Sequence, residues 1–249
     1  MIANLMMYAR PELASAQERF WALIHSELLA VGIDAPAQLD QTAFGLDVWT
    51  NPDLVLSQTC GMPYRLWLSD DVTLIGTPDY GLDECPAGYY RSPLIVRADD
   101  PRNCLEDFKS ATFAYNETHS QSGYAAPYNH IAPLGFWFEG TKKTGSHINS
   151  ARTVAEGDAD IAALDAVTWR LIQRYESFAE NLRVLEWTDP TPGLPLITSQ
   201  DNDPEIIFDA VSDAISQLTE PDRQLLGLKG IVKIPKEKYL AIQNPPARE

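Results

Sequence analysis

The sequence predicts an α/β fold built in two lobes. Short apolar runs of strand length alternate with longer runs whose apolar residues recur at helical spacing. The alternation occurs in two series, and segments rich in proline and glycine separate them near residues 88–92 and 187–195. We therefore assign residues 1–88 and 190–249 to the first lobe and residues 89–189 to the second. Ligands of such folds bind beyond the carboxyl ends of strands, so we expect a site in a cleft between the lobes.

The first lobe combines short strands with two long helices. Its strands are predicted at three apolar runs, residues 2–7, 53–57 and 72–76. Residues 13–31 place their apolar side chains on one face, which predicts a helix, and Gly32 suits the position just beyond its end. Residues 204–218 show the same amphipathic spacing, which predicts a second helix.

The second lobe repeats the alternation. Its strands are predicted at residues 89–97, 111–115, 159–164 and 182–187. Helices are predicted over residues 148–156, which Gly157 ends, and over residues 167–175. Strands that alternate with helices indicate a largely parallel sheet.

Composition narrows the possible functions. The chain has 249 residues, 45% of them hydrophobic, and a formal net charge of −16. Such an acidic chain argues against nucleic acid and anionic membranes as partners. The three cysteines, Cys60, Cys85 and Cys104, lack metal-ligand spacing and imply no disulfide framework. We expect no metal and no cofactor. The sequence as written shows neither a signal peptide nor a membrane-spanning run, which predicts a cytoplasmic protein.

The stretch from Asn116 to Tyr124 is the strongest candidate site. A short strand leads into Ser120-Gln121-Ser122-Gly123, and a helix can begin there. The first backbone N–H groups of a helix have no internal acceptor and carry the positive end of the helix dipole. Ser120 and Ser122 add neutral donors, and Gly123 lets the backbone approach a ligand. The pattern therefore predicts an oxyanion site, although an ordinary helix cap would use the same residues.

Other polar residues stand at predicted strand ends or helix starts. Tyr8 follows the first strand, and Gln58 and Thr59 follow the second, where they are expected to line the site. His147 follows Gly-Ser at a helix start, so it can donate to a ligand or belong to the cap. Asp165 can face a positive or hydroxyl group of the ligand, or it can cap the next helix.

Four further residues are interpreted as structural. Cys60 is expected to be a small buried thiol without catalytic activation. Trp137, among other aromatic residues, is more typical of a core than of a ligand platform. Lys142 and Lys143 are expected in a solvated loop.

A series of short motifs resembles the phosphonate-type substrate-binding proteins of ABC transporters. The resemblance extends over nearly the whole chain, in order, and is carried by Leu5-Met6-Met7-Tyr8, Ser57-Gln58-Thr59-Cys60-Gly61, Pro63-Tyr64, Gly88-Tyr89-Tyr90-Arg91-Ser92, Asn116, Ser120-Gln121-Ser122-Gly123-Tyr124, Gly145-Ser146-His147, the run from Gly157 to Asp165, and Pro192-Gly193-Leu194-Pro195.

The resemblance implies the type II periplasmic binding fold and a small oxyanion ligand, a phosphonate or a phosphate. It implies that the Ser-x-Ser-Gly start holds the oxyanion, that Tyr8 and His147 add hydrogen bonds, and that Asp165 faces the rest of the ligand. It also implies a permease partner and a periplasmic location, which requires a start upstream of this one; otherwise the chain is a cytoplasmic relative.

Two classes of function follow from these observations. The first is a binding module without turnover, which we favour. The second is a cytoplasmic enzyme on the same fold, since some menaquinone-pathway and thiamine-pyrimidine enzymes resemble binding proteins; Cys60, His147 and Asp165 would then be the chemical groups. The sequence contains no nucleophile elbow to support that class. A regulator's effector domain is less favoured because no helix-turn-helix segment is present.

Overall fold

The protein was analysed as a computed structural model that describes residues 1–246. It contains two compact units. Unit 1 is Met1–Tyr89 with Pro192–Ala241, and unit 2 is Tyr90–Thr191 with the described residues that follow Ala241. Each unit has its own five-stranded sheet. None of the helices within residues 1–246 is long and apolar enough to span a membrane.

Strands and helices alternate along both units. The strands are β1 Ile2–Asn4, β2 Leu54–Gln58, β3 Val72–Asp79, β4 Tyr89–Tyr90, β5 Pro93–Arg97, β6 Thr112–Tyr115, β7 Gly140–Lys143, β8 Ile161–Ala163, β9 Leu182–Trp187, β10 Thr191–Pro192, β11 Leu196–Ser199 and β12 Gly230–Val232. The α-helices are α1 Ala14–Ala30, α2 Leu46–Trp49, α3 Gly61–Pro63, α4 Ala126–Ile131, α5 His147–Ala155, α6 Ala166–Tyr175, α7 Pro204–Gln217, α8 Glu220–Leu226 and α9 Lys236–Leu240.

The helix ends follow the local sequence signals. α1 covers most of the predicted range, and Gly32 follows it with a φ of 80°, as predicted. α5, α6 and α7 are confirmed as helices within a residue or two of their predicted ends. A π-helical turn, Gln121–Ala125, leads into α4. A second π-helical turn, Tyr64–Leu68, follows α3.

The sheet of unit 1 is mixed, with the strand order β1-β2-β11-β3-β12. β1 and β2 are parallel, whereas β11 is antiparallel to β2 and β3, and β12 is antiparallel to β3. The expectation of a largely parallel sheet is therefore wrong here. β11 belongs to the later stretch of chain in this unit and pairs with strands far away in sequence, a direction that no local periodicity encodes. α1 and α7 pack together and bury Ile24, Leu28 and Val211 in the core.

The sheet of unit 2 has the order β7-β6-β8-β5-β9. β6 is parallel to both β7 and β8, while β5 is antiparallel to β8 and β9. The strand predicted at residues 89–97 is divided into β4 and β5, which pair in different sheets. Between them, the N–H of Ser92 donates to the Thr188 hydroxyl and its carbonyl accepts from the Thr188 N–H, both at 3.0 Å. The predicted loop at Lys142 and Lys143 is wrong, since both residues lie in β7. Lysine is common on such edge strands, which it protects from further pairing.

Ion pairs join the amino ends of the parallel strands in unit 2. Arg102 donates to both carboxylate oxygens of Asp100, at 2.9 and 2.6 Å, and to Asp160 at 2.9 Å. Asp160 also accepts from the backbone N–H of Thr112 at 2.9 Å, which links the first residue of β6 to the residue before β8. The Asp100 side chain is 2% exposed. Hydrogen bonding to Arg102 lowers the pKa of Asp100 to about 2.

We expect Asp100→Asn to destabilise the protein by about 2 kcal/mol at neutral pH, because the folded state loses a carboxylate that it holds ionised. A depressed pKa contributes stability above the unfolded value near 4, and that contribution disappears as pH falls toward 2. Urea unfolding of wild type and variant across this range measures the difference. If the difference in the free energy of unfolding between the two proteins stayed constant down to about pH 2, the depressed pKa of Asp100 would be contradicted.

Candidate functional site

Three helix starts meet at one edge of the unit 2 sheet. β7, β6 and β8 are parallel neighbours, so their carboxyl ends lie along the same edge. A capped helix start follows each of them, with Ser146 capping α5, Ser120 capping the π-helical turn before α4, and Asp165 capping α6. The carboxyl edge of parallel strands is where α/β folds bind ligands. Unit 2 therefore gathers several unsatisfied first-turn N–H groups at such an edge.

The start capped by Ser120 is compact. The Ser120 hydroxyl oxygen accepts from the backbone N–H of Gly123 at 3.0 Å. Its carbonyl oxygen accepts from the N–H groups of Tyr124 and Ala125, at 3.2 and 3.0 Å, which shapes the π-helical turn. Ser120 is thus the helix cap that the sequence offered as an alternative. A capping hydroxyl accepts a hydrogen bond and still has its own O–H to donate, so capping does not exclude anion binding.

Ser122 and His147 are brought together across two helix starts. The Ser122 hydroxyl and Nε2 of His147 are 3.0 Å apart. Burial lowers the pKa of His147 to about 4, and the backbone of Ala163 opposes only part of that shift. Nδ1 of His147 makes no hydrogen bond of ordinary length and angle within the described residues. His147 is therefore neutral at physiological pH and presents no charge to a ligand.

Asn116 is part of this site and was not assigned a role from the sequence. It is the first residue after β6, and its side-chain oxygen lies over the backbone of Gly123. A Cβ added at Gly123 would lie 2.0 Å from that oxygen and 3.0 Å from Cε1 of His147. Glycine is thus required here by contact with Asn116, whereas the sequence suggested contact with a ligand. The signal that could have found Asn116 is its place immediately after a buried strand.

Asp165 caps α6. One of its carboxylate oxygens accepts from the backbone N–H groups of Val167 and Thr168, at 2.7 and 3.0 Å, and the residue is 2% exposed. The capping role offered by the sequence is therefore confirmed. Contact between Asp165 and a ligand stays a prediction. Ser120, Ser122 and Asp165 are all buried, and so is Gln121 between the two serines.

The other three predicted residues, Tyr8, Gln58 and Thr59, belong to unit 1. Gln58 is buried, and its amide nitrogen donates to the Leu194 carbonyl at 3.1 Å and to the Tyr80 hydroxyl at 3.4 Å. The rings of Tyr8 and Tyr80 meet edge to face with centroids 5.1 Å apart. Thr59 is fully buried. All three residues lie at or just beyond the carboxyl ends of β1 and β2. That they contact a ligand stays a prediction.

The residues interpreted as structural have mixed outcomes. Cys60 is 8% exposed in unit 1, which confirms a buried thiol. Trp137 packs against the core aromatic residues Phe113 and Phe138, with ring centroids 5.1 and 5.2 Å apart, as expected of a core residue. Lys143 pairs with Glu117 at 2.6 Å at the edge of the sheet.

A surface cavity of about 390 Å³ lies elsewhere in unit 1. Its lining includes the consecutive residues Val72 to Thr77 of β3, together with Lys233 and Lys236. None of the predicted site residues lines it. Within residues 1–246, no group of three histidine, cysteine or carboxylate side chains is arranged to hold a metal ion.

Comparison with known proteins identifies relatives of the whole chain. Residues 59–239 match the family model described as "ABC transporter, phosphonate, periplasmic substrate-binding protein". No curated protein matches the sequence significantly.

Solved structures share the fold at low sequence identity. PhnD1 from Prochlorococcus marinus in complex with methylphosphonate is 16% identical with a TM-score of 0.73, and the match covers 96% of this chain and 94% of that one. The binding-protein component of an ABC phosphonate transporter from Pseudomonas aeruginosa is 18% identical, with a TM-score of 0.69 and coverage of 97% and 84%. XAC2383 from Xanthomonas citri bound to ATP is 16% identical, with a TM-score of 0.71 and coverage of 96% and 92%. These likenesses establish the type II periplasmic binding fold.

We expect Gly123→Ala to destabilise the protein and weaken ligand binding. Alanine normally favours a helix by about 1 kcal/mol over glycine. Here the new methyl group would overlap the Asn116 oxygen, and such overpacking typically costs about 1–3 kcal/mol. Thermal unfolding and calorimetric titration measure both effects. Gly230→Ala is the matched control, because its Cβ meets nothing within 4 Å and its effect should stay within about 0.5 kcal/mol. A stabilised Gly123→Ala protein would contradict the geometry.

Proposed function

Because this chain belongs to the family of periplasmic substrate-binding proteins of phosphonate ABC transporters, we propose that it binds a phosphonate or phosphate at the carboxyl edge of β7, β6 and β8. The family supplies the class of function, a transport component that binds small phosphonates. The location of the ligand on this chain, and the side chains that hold it, are the proposal.

One observation carries the proposal: three capped helix starts follow three neighbouring parallel strands in unit 2. First-turn N–H groups and the positive ends of helix dipoles favour an anion at such a place. The Ser120 hydroxyl adds a donor, whereas the Ser122 hydroxyl lies 3.0 Å from Nε2 of His147 and donates to it. Hydrogen bonds to a charged group contribute roughly 1.5–3 kcal/mol each, so a few of them support a useful affinity.

The proposed roles follow from the contacts. Gln121 and Ser122 offer first-turn backbone N–H groups to the oxyanion, and the Ser120 hydroxyl donates to it, while Gly123 gives its N–H to the Ser120 oxygen. His147 holds the Ser122 side chain at 3.0 Å and adds a neutral ring to the site.

Three further residues, all in unit 1, are proposed to bind ligand. Tyr8 is the candidate donor, because its ring position is fixed by Tyr80. Gln58 and Thr59 shape the lining, since both are buried. Asp165 is proposed to face the organic part of the ligand with the carboxylate oxygen that does not cap α6.

Partner and location are proposed from the family as well. A periplasmic substrate-binding protein delivers its ligand to an ABC permease, and we propose the same partner class and compartment here. The net charge of −16 is consistent with a small-molecule ligand and with no nucleic-acid partner.

Replacing Ser120 and Ser122 together with alanine should weaken binding of methylphosphonate by at least tenfold, about 1.4 kcal/mol. Thr219→Ala is the matched control, because it also removes a helix-capping hydroxyl, at α8 in unit 1. The control should lose stability, typically about 1 kcal/mol, and keep its affinity. Calorimetric titration of wild type, the double variant and Thr219→Ala with methylphosphonate measures the three affinities. Equal affinity in wild type and the double variant would remove these serines from the site.

We also propose that the bound ligand leaves chemically unchanged. The enzyme alternative is less favoured because the family is one of transport components, Cys60 is buried in unit 1 and Asp165 caps α6. Cys60→Ala should therefore keep its affinity within about threefold, the range of minor substitutions. Phosphorus NMR of the recovered ligand reads turnover directly. Stoichiometric conversion by wild type that is lost in Cys60→Ala would establish an enzyme.

A further inference from the structure

The candidate site holds hydrogen-bond acceptors as well as donors. An acceptor that is taken out of water needs a donor, or binding loses the free energy of its lost hydration. Asn116, His147 and Asp165 are three of the side-chain acceptors at this edge. The Nε2 atom of His147 lies 3.0 Å from the Ser122 hydroxyl, and a carboxylate oxygen of Asp165 already accepts from two backbone N–H groups. Two of the three acceptors are therefore already engaged within the protein.

Asn116 differs from His147 and Asp165 in that its acceptor atom has no partner of this kind within residues 1–246. Its side-chain oxygen is buried and accepts no hydrogen bond in the described part of the chain. The same oxygen lies directly over Gly123, 2.0 Å from the position of an added Cβ. Gly123 belongs to the first turn whose N–H groups are proposed to hold the oxyanion. An oxyanion bound there would therefore lie next to an acceptor that needs a proton donor.

The charges around the site do not favour a second negative charge on the ligand. Asp165 is the carboxylate after β8. Lys143, the last residue of β7, is paired at 2.6 Å with Glu117, which follows β6. Burial lowers the pKa values of both His119 and His147, so both rings are biased toward the neutral form. A dianion would face Asp165 without a matching free cation among these five groups.

Resting on the proposed function, we propose that this site selects a phosphorus oxyanion that keeps one acidic proton, and that the Asn116 side-chain oxygen accepts the hydrogen bond from that P–OH group. The remaining oxygens take the hydrogen bonds of the helix start and of the Ser120 hydroxyl. Sulfate and sulfonates have the same tetrahedral shape but bring no proton, so they leave the Asn116 oxygen without a donor. Asn116 is then the residue that separates phosphonates from sulfonates.

Calorimetric titration with methylphosphonate and methanesulfonate between about pH 5.5 and pH 8.5 tests this, because methylphosphonate loses its second proton inside that window, whereas methanesulfonate stays a monoanion throughout. His147 keeps its neutral form throughout, since its pKa is about 4. Wild type should bind methylphosphonate at least tenfold more tightly than methanesulfonate at the acidic end. Its methylphosphonate affinity should fall as pH rises, approaching tenfold per pH unit once the ligand is mostly dianionic. A methylphosphonate affinity that is flat or rises with pH would overturn the proposal.

Two variants test whether the Asn116 oxygen confers the preference for methylphosphonate. Asn116→Ala should lower the preference for methylphosphonate over methanesulfonate at least tenfold, mainly through weaker phosphonate binding. Asn116→Asp keeps an acceptor oxygen and adds charge, so it should keep or raise that preference while both affinities fall. Equal losses for the two ligands in Asn116→Ala would overturn the proposal. If Asn116→Ala shows no cooperative melting, two other measurements test the proposal. They are the pH dependence of methylphosphonate affinity in wild type and the preference of Asn116→Asp for methylphosphonate over methanesulfonate.

The proposed function fails in a different way. Wild type that binds neither methylphosphonate nor phosphate would overturn the proposed function and this selectivity together. Wild type that binds methylphosphonate and methanesulfonate equally, with both affinities lost when Ser120 and Ser122 are replaced, would overturn the selectivity alone.

Discussion

The N–H groups in the first turn of a helix cannot be satisfied inside that helix, and the candidate site is organised around this constraint. In unit 2 the parallel order β7-β6-β8 brings three such starts to one sheet edge. Ser120, Ser146 and Asp165 each satisfy part of the need with a capping side chain. The N–H groups that remain are the donors proposed to hold the anion. Gly123 then allows the first turn to lie against Asn116, and Ser122 is held by His147.

Burial keeps this edge almost free of formal positive charge. His147 would be the natural cation, yet burial lowers its pKa to about 4. Lys143 forms an ion pair with Glu117. An anion bound at this edge, as proposed, would therefore be held by oriented dipoles and a hydroxyl group, which depend on exact placement more than a flexible lysine would. The ion-paired cluster of Asp100, Arg102 and Asp160 serves that placement from the other edge, since it fixes the starts of β6 and β8.

Local patterns in the sequence predicted the parts of the structure that local physics determines. The strand that ends at Tyr115, the Ser-Gln-Ser-Gly helix start and the capping role open to Asp165 all follow from nearest-neighbour rules. The antiparallel direction of β11 and the edge strand at Lys142 and Lys143 were not predicted, because both are determined by pairing between segments that are distant in the sequence. Asn116 stood in the candidate stretch without a role for the same reason: its contact with Gly123 appears only in the folded chain.

A site made from dipoles on a chain of net charge −16 has a kinetic consequence. An approaching oxyanion is repelled at long range by the whole protein and attracted only over the last few ångströms. Added salt screens the long-range repulsion but hardly weakens short hydrogen bonds inside a buried edge. Capture of the ligand should therefore become faster as ionic strength rises, while the lifetime of the complex changes little. In this protein, higher salinity would favour binding rather than oppose it.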